Sequence, residues 1–311
     1  MQTFGGFCNR NDTHRNDTRM ALLLLTSSIW AFSFGLIGNR LAGLDPAVVA
    51  FARLALSLLA FLPLACRGAA PRPASALKLL LLGGLQFGLM YLLYIESFRH
   101  LPSHAVALFT VTTPVYVALL AGARQPRRLP RPLLAALLAV LGAALVNWKT
   151  PGGDRLWLGF ALVQGSNLCF AAGQLLYRRV MRAPGGVSNH QALTWMYAGA
   201  VMACLPFALR GWRAHGFAPD RGQLLVLLYL GVVASGLCFW LWNTGARRIR
   251  HAGTLAVMNN AKIPLGMALS LLLFGEPADP WRLSLAGVAL LAGVLLAEGR
   301  FCAFRPRRIV L

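Results

Sequence analysis

Residues 79–99, LLLLGGLQFGLMYLLYIESFR, and residues 227–247, LLYLGVVASGLCFWLWNTGAR, lie 148 positions apart and read as two copies of one segment. In that alignment Gly88 meets Gly236, Tyr91 meets Phe239, Leu92 meets Trp240, Tyr94 meets Trp242 and Arg99 meets Arg247. Aromatic and glycine positions that agree over a contiguous stretch point to duplication rather than to shared apolarity. Each copy belongs to an apolar run of roughly 20 residues, the length at which a helix crosses a bilayer core of about 30 Å. Backbone groups in lipid must be bonded within their own segment, so such runs are helices. The alternation of barrel strands is absent: Leu224–Leu230 is apolar on every face.

Working outward, the chain divides into ten such spans: 20–38, 46–65, 77–98, 104–122, 131–148, 156–177, 190–209, 223–246, 252–274 and 281–298. Of the 30 Lys and Arg, 20 fall in the N-terminal tail or at the gaps after every second span, 8 fall in the alternate gaps, and Arg53 and Lys262 lie inside spans. Asp45, Asp154, Asp220, Glu276 and Asp279 lean the other way. By the positive-inside rule both termini are cytoplasmic. The duplication extends past the opening segment. The spans that follow it match through Pro114 and Pro264 with a two-residue adjustment, Gly142 falls over Gly293, and Pro63 matches Pro206. Each half holds five spans, an odd number, so the second half sits upside down relative to the first. The sequence therefore predicts an all-α membrane protein of ten transmembrane helices built as two inverted five-helix repeats, 20–148 and 156–298, between a tail at 1–19 and a basic tail at 299–311. Inverted halves are the mark of carriers that alternate access around a central site.

Composition excludes other classes. A mean hydropathy of +0.60 with 57% hydrophobic and 13% charged residues is no soluble domain. The net charge of +21 comes in clusters at helix ends, such as Arg124, Arg127, Arg128 and Arg131. Topology and anionic lipid explain these without nucleic acid. Six scattered cysteines form no CxxC pair and no His stands at ligand spacing, so neither a metal nor a cofactor is expected. The tail carries two NDT sequons, Asn11–Thr13 and Asn16–Thr18, and Met20 stands directly before the first span, which leaves open a start at that residue. The continuous run through Trp30 to Ile37 reads as a first transmembrane helix rather than a signal peptide. The alternative to a carrier is a membrane-embedded enzyme acting on a lipid or polyprenyl-phosphate head group. That chemistry needs clustered His, Asp, Ser or Cys at one interface, whereas the six His fall mostly in loops and neither HExxH nor GxSxG occurs. A receptor or assembly subunit without turnover is a third class, and the inverted halves favour the carrier over both.

Several stretches resemble the EamA-like family of the drug/metabolite transporter superfamily: Ser28-Ile-Trp30-Ala-Phe-Ser, Leu44-Asp-Pro46, Phe51-Ala-Arg53, the Thr-Pro-Val of Thr113–Val115, Tyr229-Leu-Gly231 through Leu241-Trp-Asn243, and Phe274-Gly-Glu276-Pro. The resemblance covers about residues 20–298. It implies a ten-helix, inverted-repeat carrier in a bacterial inner membrane that exports a small metabolite such as an amino acid or related compound. One departure concerns the second proline, where the family often has an acidic residue just before it and this chain has Asn259-Asn260-Ala-Lys262-Ile263-Pro264.

Ionisable groups inside a span are costly and mark function by default. Arg53 stands about 10 Å deep at 1.5 Å per residue, and Lys262 lies close to the midplane. A Lys beside Asn259 and Asn260 at that depth suits attraction of a substrate carboxylate, whereas Arg53 suits helix cohesion as well as substrate contact. Glu96 is a candidate for proton coupling if buried, or the partner of Arg99 one turn on. The segment from Thr110 through Thr112 to Pro114 answers that from Asn259 and Asn260 to Pro264, with Asn259 and Asn260 matching Val111 and Thr112. Each proline kinks its helix and frees a carbonyl, and a loosened polar helix at mid-depth is where a carrier binds its substrate. Trp30, Tyr91, Trp240 and Asn243 complete the candidate path. Small-molecule substrate and lipid are the expected partners.

Overall fold

The computed structural model describes residues 10–65, 71–122, 134, 137–138, 141, 153–182, 187–246, 259–260, 262–277 and 279–297. Regular structure among the described residues is helical throughout. The first repeat contains α1 (Arg10–Gly35), α2 (Pro46–Ala65), α3 (Pro73–Gly83), α4 (Met90–Ser97), α5 (Ser103–Phe109) and α6 (Thr113–Gly122). The second contains α7 (Gly153–Arg182), α8 (Asn189–His215), α9 (Arg221–Leu228), α10 (Cys238–Ala246), α11 (Lys262–Leu272) and α12 (Pro280–Ala297). Among the described residues, six stretches are long and apolar enough to cross a membrane: Ala21–Arg40, Pro46–Leu64, Pro73–Ser97, Arg155–Arg182, Asn189–His215 and Arg221–Thr244. Ser103–Val117 and Lys262–Leu272 are shorter apolar helices. The fifth expected span, 131–148, lies outside the described residues except at four positions. Helix α1 starts at Arg10, so helix reaches back into the segment that hydropathy sets apart as a tail.

The connections follow from local chemistry. The first span ends at a turn in which Gly43 takes a φ of 93°, a conformation that L side chains rarely adopt. Asp45 then caps α2: its Oδ1 accepts from the backbone N–H of Ala47 at 3.0 Å and of Val48 at 3.2 Å, and Pro46 opens the helix with a preset φ. Ser188 with Gln191, and Asp220 with Gln223, form capping boxes at the starts of α8 and α9.

Two features position the site. First, the third and seventh spans pack backbone to backbone. A Cβ on Gly83 would collide with the Met196 carbonyl, and one on Gly199 would collide with the Leu80 carbonyl. Gly88 rests against Ala200 and Ala203, the close-packing use of small residues seen between membrane helices. Second, the third and eighth spans are not uniform α-helix. A π-helical segment, Gly84–Leu89, separates α3 from α4, and another, Tyr229–Leu237, separates α9 from α10. Shifting the first by 148 places it on residues 232–237, so the repeat seen in sequence is repeated in helix geometry. The wider turn displaces carbonyls from the i→i+4 ladder and offers them to side chains on other helices.

Candidate functional site

A central cavity lies between the halves. One wall is aromatic: Trp30 and Phe34 from α1, Tyr91 and Tyr94 from α4, Phe170 from α7 and Phe239 from α10. Thr110, Thr113, Ser166 and Asn167 supply polar atoms, and Arg53 and Lys262 supply charge. No acidic side chain lines this cavity among the described residues.

The π-helical segment of the eighth span organises the wall around Arg53. Trp30 Nε1 donates to the Ala234 carbonyl at 2.8 Å, and Tyr197 Oη donates to the Ser235 carbonyl at 2.6 Å. Ser57 Oγ lies 2.8 Å from the Gly231 carbonyl and 3.1 Å from that of Arg53. Arg53 is 2% exposed. Its Nε donates to Ser235 Oγ at 2.6 Å, and its guanidinium sits 4.4 Å from the centre of the Tyr91 ring. Its Nη1 is buried with no hydrogen-bond partner among the described residues. The Lys262 ammonium donates to Asn259 Oδ1 at 3.2 Å and lies 5.0 Å from the Trp30 ring, within cation–π range. Trp30 in turn packs on Phe239 and Trp242, with centroids 5.1 and 5.4 Å apart.

The expected break in the fourth span is present. Helix α5 ends at Phe109, residues Thr110–Thr112 form a 3-10 turn, and α6 restarts at Thr113. Its freed groups are satisfied from α7: Asn167 Nδ2 donates to the Phe109 carbonyl at 3.0 Å, and Thr112 Oγ1 donates to Gln164 Oε1 at 2.6 Å. Thr113 Oγ1 donates to the Thr110 carbonyl at 2.9 Å. Pro114 stands directly after this turn, and Pro264 lies within α11.

Of the residues singled out in the sequence, Trp30, Arg53, Tyr91, Thr110 and Lys262 thus share one cavity. Asn259 is bound to Lys262 and to Asn260, and Thr112 is turned to α7. Asn243 is buried and Trp240 half-buried, and neither lines the cavity. Glu96 lies at the end of α4, 3.6 Å from Arg99 and 3.7 Å from His100, away from the cavity lining. Sequence reasoning missed Ser235 and Gln164. A single Ser among Gly, Val and Ala carries no periodic signal, and Gln164 becomes informative only once it faces the broken turn.

A second polar cluster joins the two halves at the end of the bundle where the loops carry the acidic residues. The Glu276 carboxylate accepts from the backbone N–H of Ser103 and of His104 at 3.1 Å each, from His104 Nδ1 at 2.8 Å and from Asn39 Nδ2 at 2.9 Å. Burial alone would raise this carboxyl, but the hydrogen bonds from His104, Ser103 and Asn39 outweigh it and hold the pKa down at about 2. Beside it, Asp45 Oδ2 lies 3.4 Å from both Arg99 and His215.

Comparison with known proteins gives this architecture a family. The EamA-like transporter family model matches residues 18–148 and again 157–298. A Pseudomonas aeruginosa protein named "Probable biotin transporter" is 41% identical over 283 residues, covering 88% of this chain and 96% of its own length. The "Biotin transporter" proteins of Salmonella typhimurium and Escherichia coli are 36% and 35% identical, each alignment covering 92% of this chain and 95% of the relative. A crystal structure at 18% identity shares the fold, with a TM-score of 0.61 over 93% of this chain and 99% of that one. These matches leave the enzyme alternative without support. With two matched repeats, helices of membrane-crossing length and a central polar cavity, the chain belongs to the EamA-like transporter family and is a multi-pass transporter of a bacterial inner membrane that carries a small molecule.

Proposed function

We propose that the chain carries biotin, or a carboxylic acid closely like it, through the central cavity by alternating access. The observation that bears most weight is the cavity itself: aromatic walls around two cations, with no acidic side chain among the described residues of its lining. Biotin is a compact bicyclic urea with an apolar chain ending in a carboxylate. Its ring suits the faces of Trp30, Phe170 and Phe239, its urea suits the Thr110, Thr113 and Asn167 groups, and its charge suits Arg53 and Lys262. The names of the relatives move the cargo from an amino acid to biotin. An amino acid also brings an ammonium, for which this lining offers no carboxylate. The basic face is assigned to the cytoplasm on charge distribution. Glu96 lies off the described cavity lining and beside Arg99, so it is assigned to the rim ion pair rather than to coupling.

The test is exchange of labelled biotin in proteoliposomes loaded with unlabelled biotin. Saturable exchange that excess biotin blocks and excess Leu or Thr does not is the expected result. Exchange driven equally by neutral amino acids would overturn the assignment. The sign of net flux under an imposed gradient then tests the outward direction implied by the family resemblance.

A further inference from the structure

The two cavity cations are not equivalent. Lys262 stands on a flexible four-carbon stem, with one Asn acceptor and an aromatic face beside it. Arg53 is held from several sides. Ser235 Oγ takes its Nε, the Tyr91 ring supports its face, and Tyr91 Oη lies 3.1 Å from the same Ser235 Oγ. Ser235 is itself anchored where the eighth span widens, its carbonyl taken by Tyr197. Every interaction named here acts on the Nε edge or the face of the guanidinium, and Nη1 stays buried with no acceptor among the described residues. None of the five carboxylates with described side chains supplies one. Asp45, Glu96 and Glu276 are engaged at the acidic end, and Asp220 and Asp279 are exposed. A planar guanidinium of fixed orientation is the group best matched to a carboxylate, because two N–H donors meet two oxygens in one plane.

Resting on the reading of this cavity as the cargo site, we propose that Arg53 is the carboxylate anchor and determines selection for acids. Ser235 and Tyr91 are positioning residues that aim it, and Lys262 adds only general attraction. The anchor accepts the free acid and rejects the neutral amide of the same shape, which would set an N–H against an N–H.

Binding to the purified full-length protein in nanodiscs tests this, with four probes: biotin, biotinamide, valerate and valeramide. Wild type should prefer each acid to its amide by roughly 10- to 100-fold, the worth of a hydrogen bond to a charged group. Arg53→Lys and Ser235→Ala should bring the acid down to the level of the amide while leaving amide affinity in place, a change that loss of packing alone would not produce. Lys262→Gln should weaken the acid by a few-fold and keep the preference. Acid preference surviving in Ser235→Ala, or vanishing in Lys262→Gln, overturns the anchor. If Arg53→Lys is not recovered from the membrane, Ser235→Ala decides alone. The two valeryl probes separate this proposal from the cargo. Wild type that selects valerate through Arg53 but ignores biotin keeps the anchor and loses biotin. Wild type that binds biotin and biotinamide alike keeps biotin and loses the anchor, and wild type that binds none of the four overturns both.

Discussion

Glu276 shows how much one side chain can join. Its carboxylate ties the loop after α11 to the start of α5 and to Asn39 at the end of the first span. Because its folded pKa of about 2 lies below the ordinary carboxylate value of 4.5, its contribution to stability is complete above pH ~4.5. That contribution is lost as pH falls from there toward 2. On this group's account, the melting temperature of the purified protein should therefore be independent of pH near neutrality and decline across that acid window. Glu276→Gln should lower the melting temperature at pH 7 and flatten the decline. The sequence shows Glu276 only as part of Phe274-Gly-Glu276-Pro. Its partners stand 172, 173 and 237 positions away, so no local pattern could name them. Lys262 and Arg53 were legible for the opposite reason, since a charge in an apolar run is conspicuous wherever the chain folds.

At the scale of elements, the helices were readable and their irregularities only in part. Pro114 announces a break, and the 3-10 turn at Thr110–Thr112 is that break. The π-helical segments at Gly84–Leu89 and Tyr229–Leu237 contain no proline, and an apolar run reads the same whether its bonds span four residues or five. Gly83 and Gly88 let the third span pack closely against the seventh, a partner that no local pattern names. Gly199→Ala places a methyl against the Leu80 carbonyl, backbone that cannot swing aside. This substitution should destabilise the protein by about 1–3 kcal/mol, read as a lower midpoint in unfolding of the detergent-solubilised carrier. Gly222→Ala, near the exposed start of α9, is the control and should change it little.

For the whole molecule, the alternation of basic and acidic gaps carried the topology, and the 148-residue offset carried the symmetry. The offset reappears as a matched pair of π-helical segments, and Asp45 and Glu276 lie together at one end of the bundle. The orientation is open to direct measurement. Alkaline phosphatase fused within residues 216–219 should be active outside the cell, and the same enzyme fused within 183–186 should be inactive; the reverse pattern would invert the assignment.

The absence of a described anion around Arg53 also has an electrical consequence. A guanidinium remains charged at any working pH, so an empty carrier turning over in the membrane displaces one more positive charge than a carrier holding a carboxylate. The two half-cycles then feel the membrane voltage differently, with a full crossing worth about 2.3 kcal/mol per 100 mV for each charge. On the anchor assignment, voltage acts more strongly on the return of the unloaded protein than on the loaded passage.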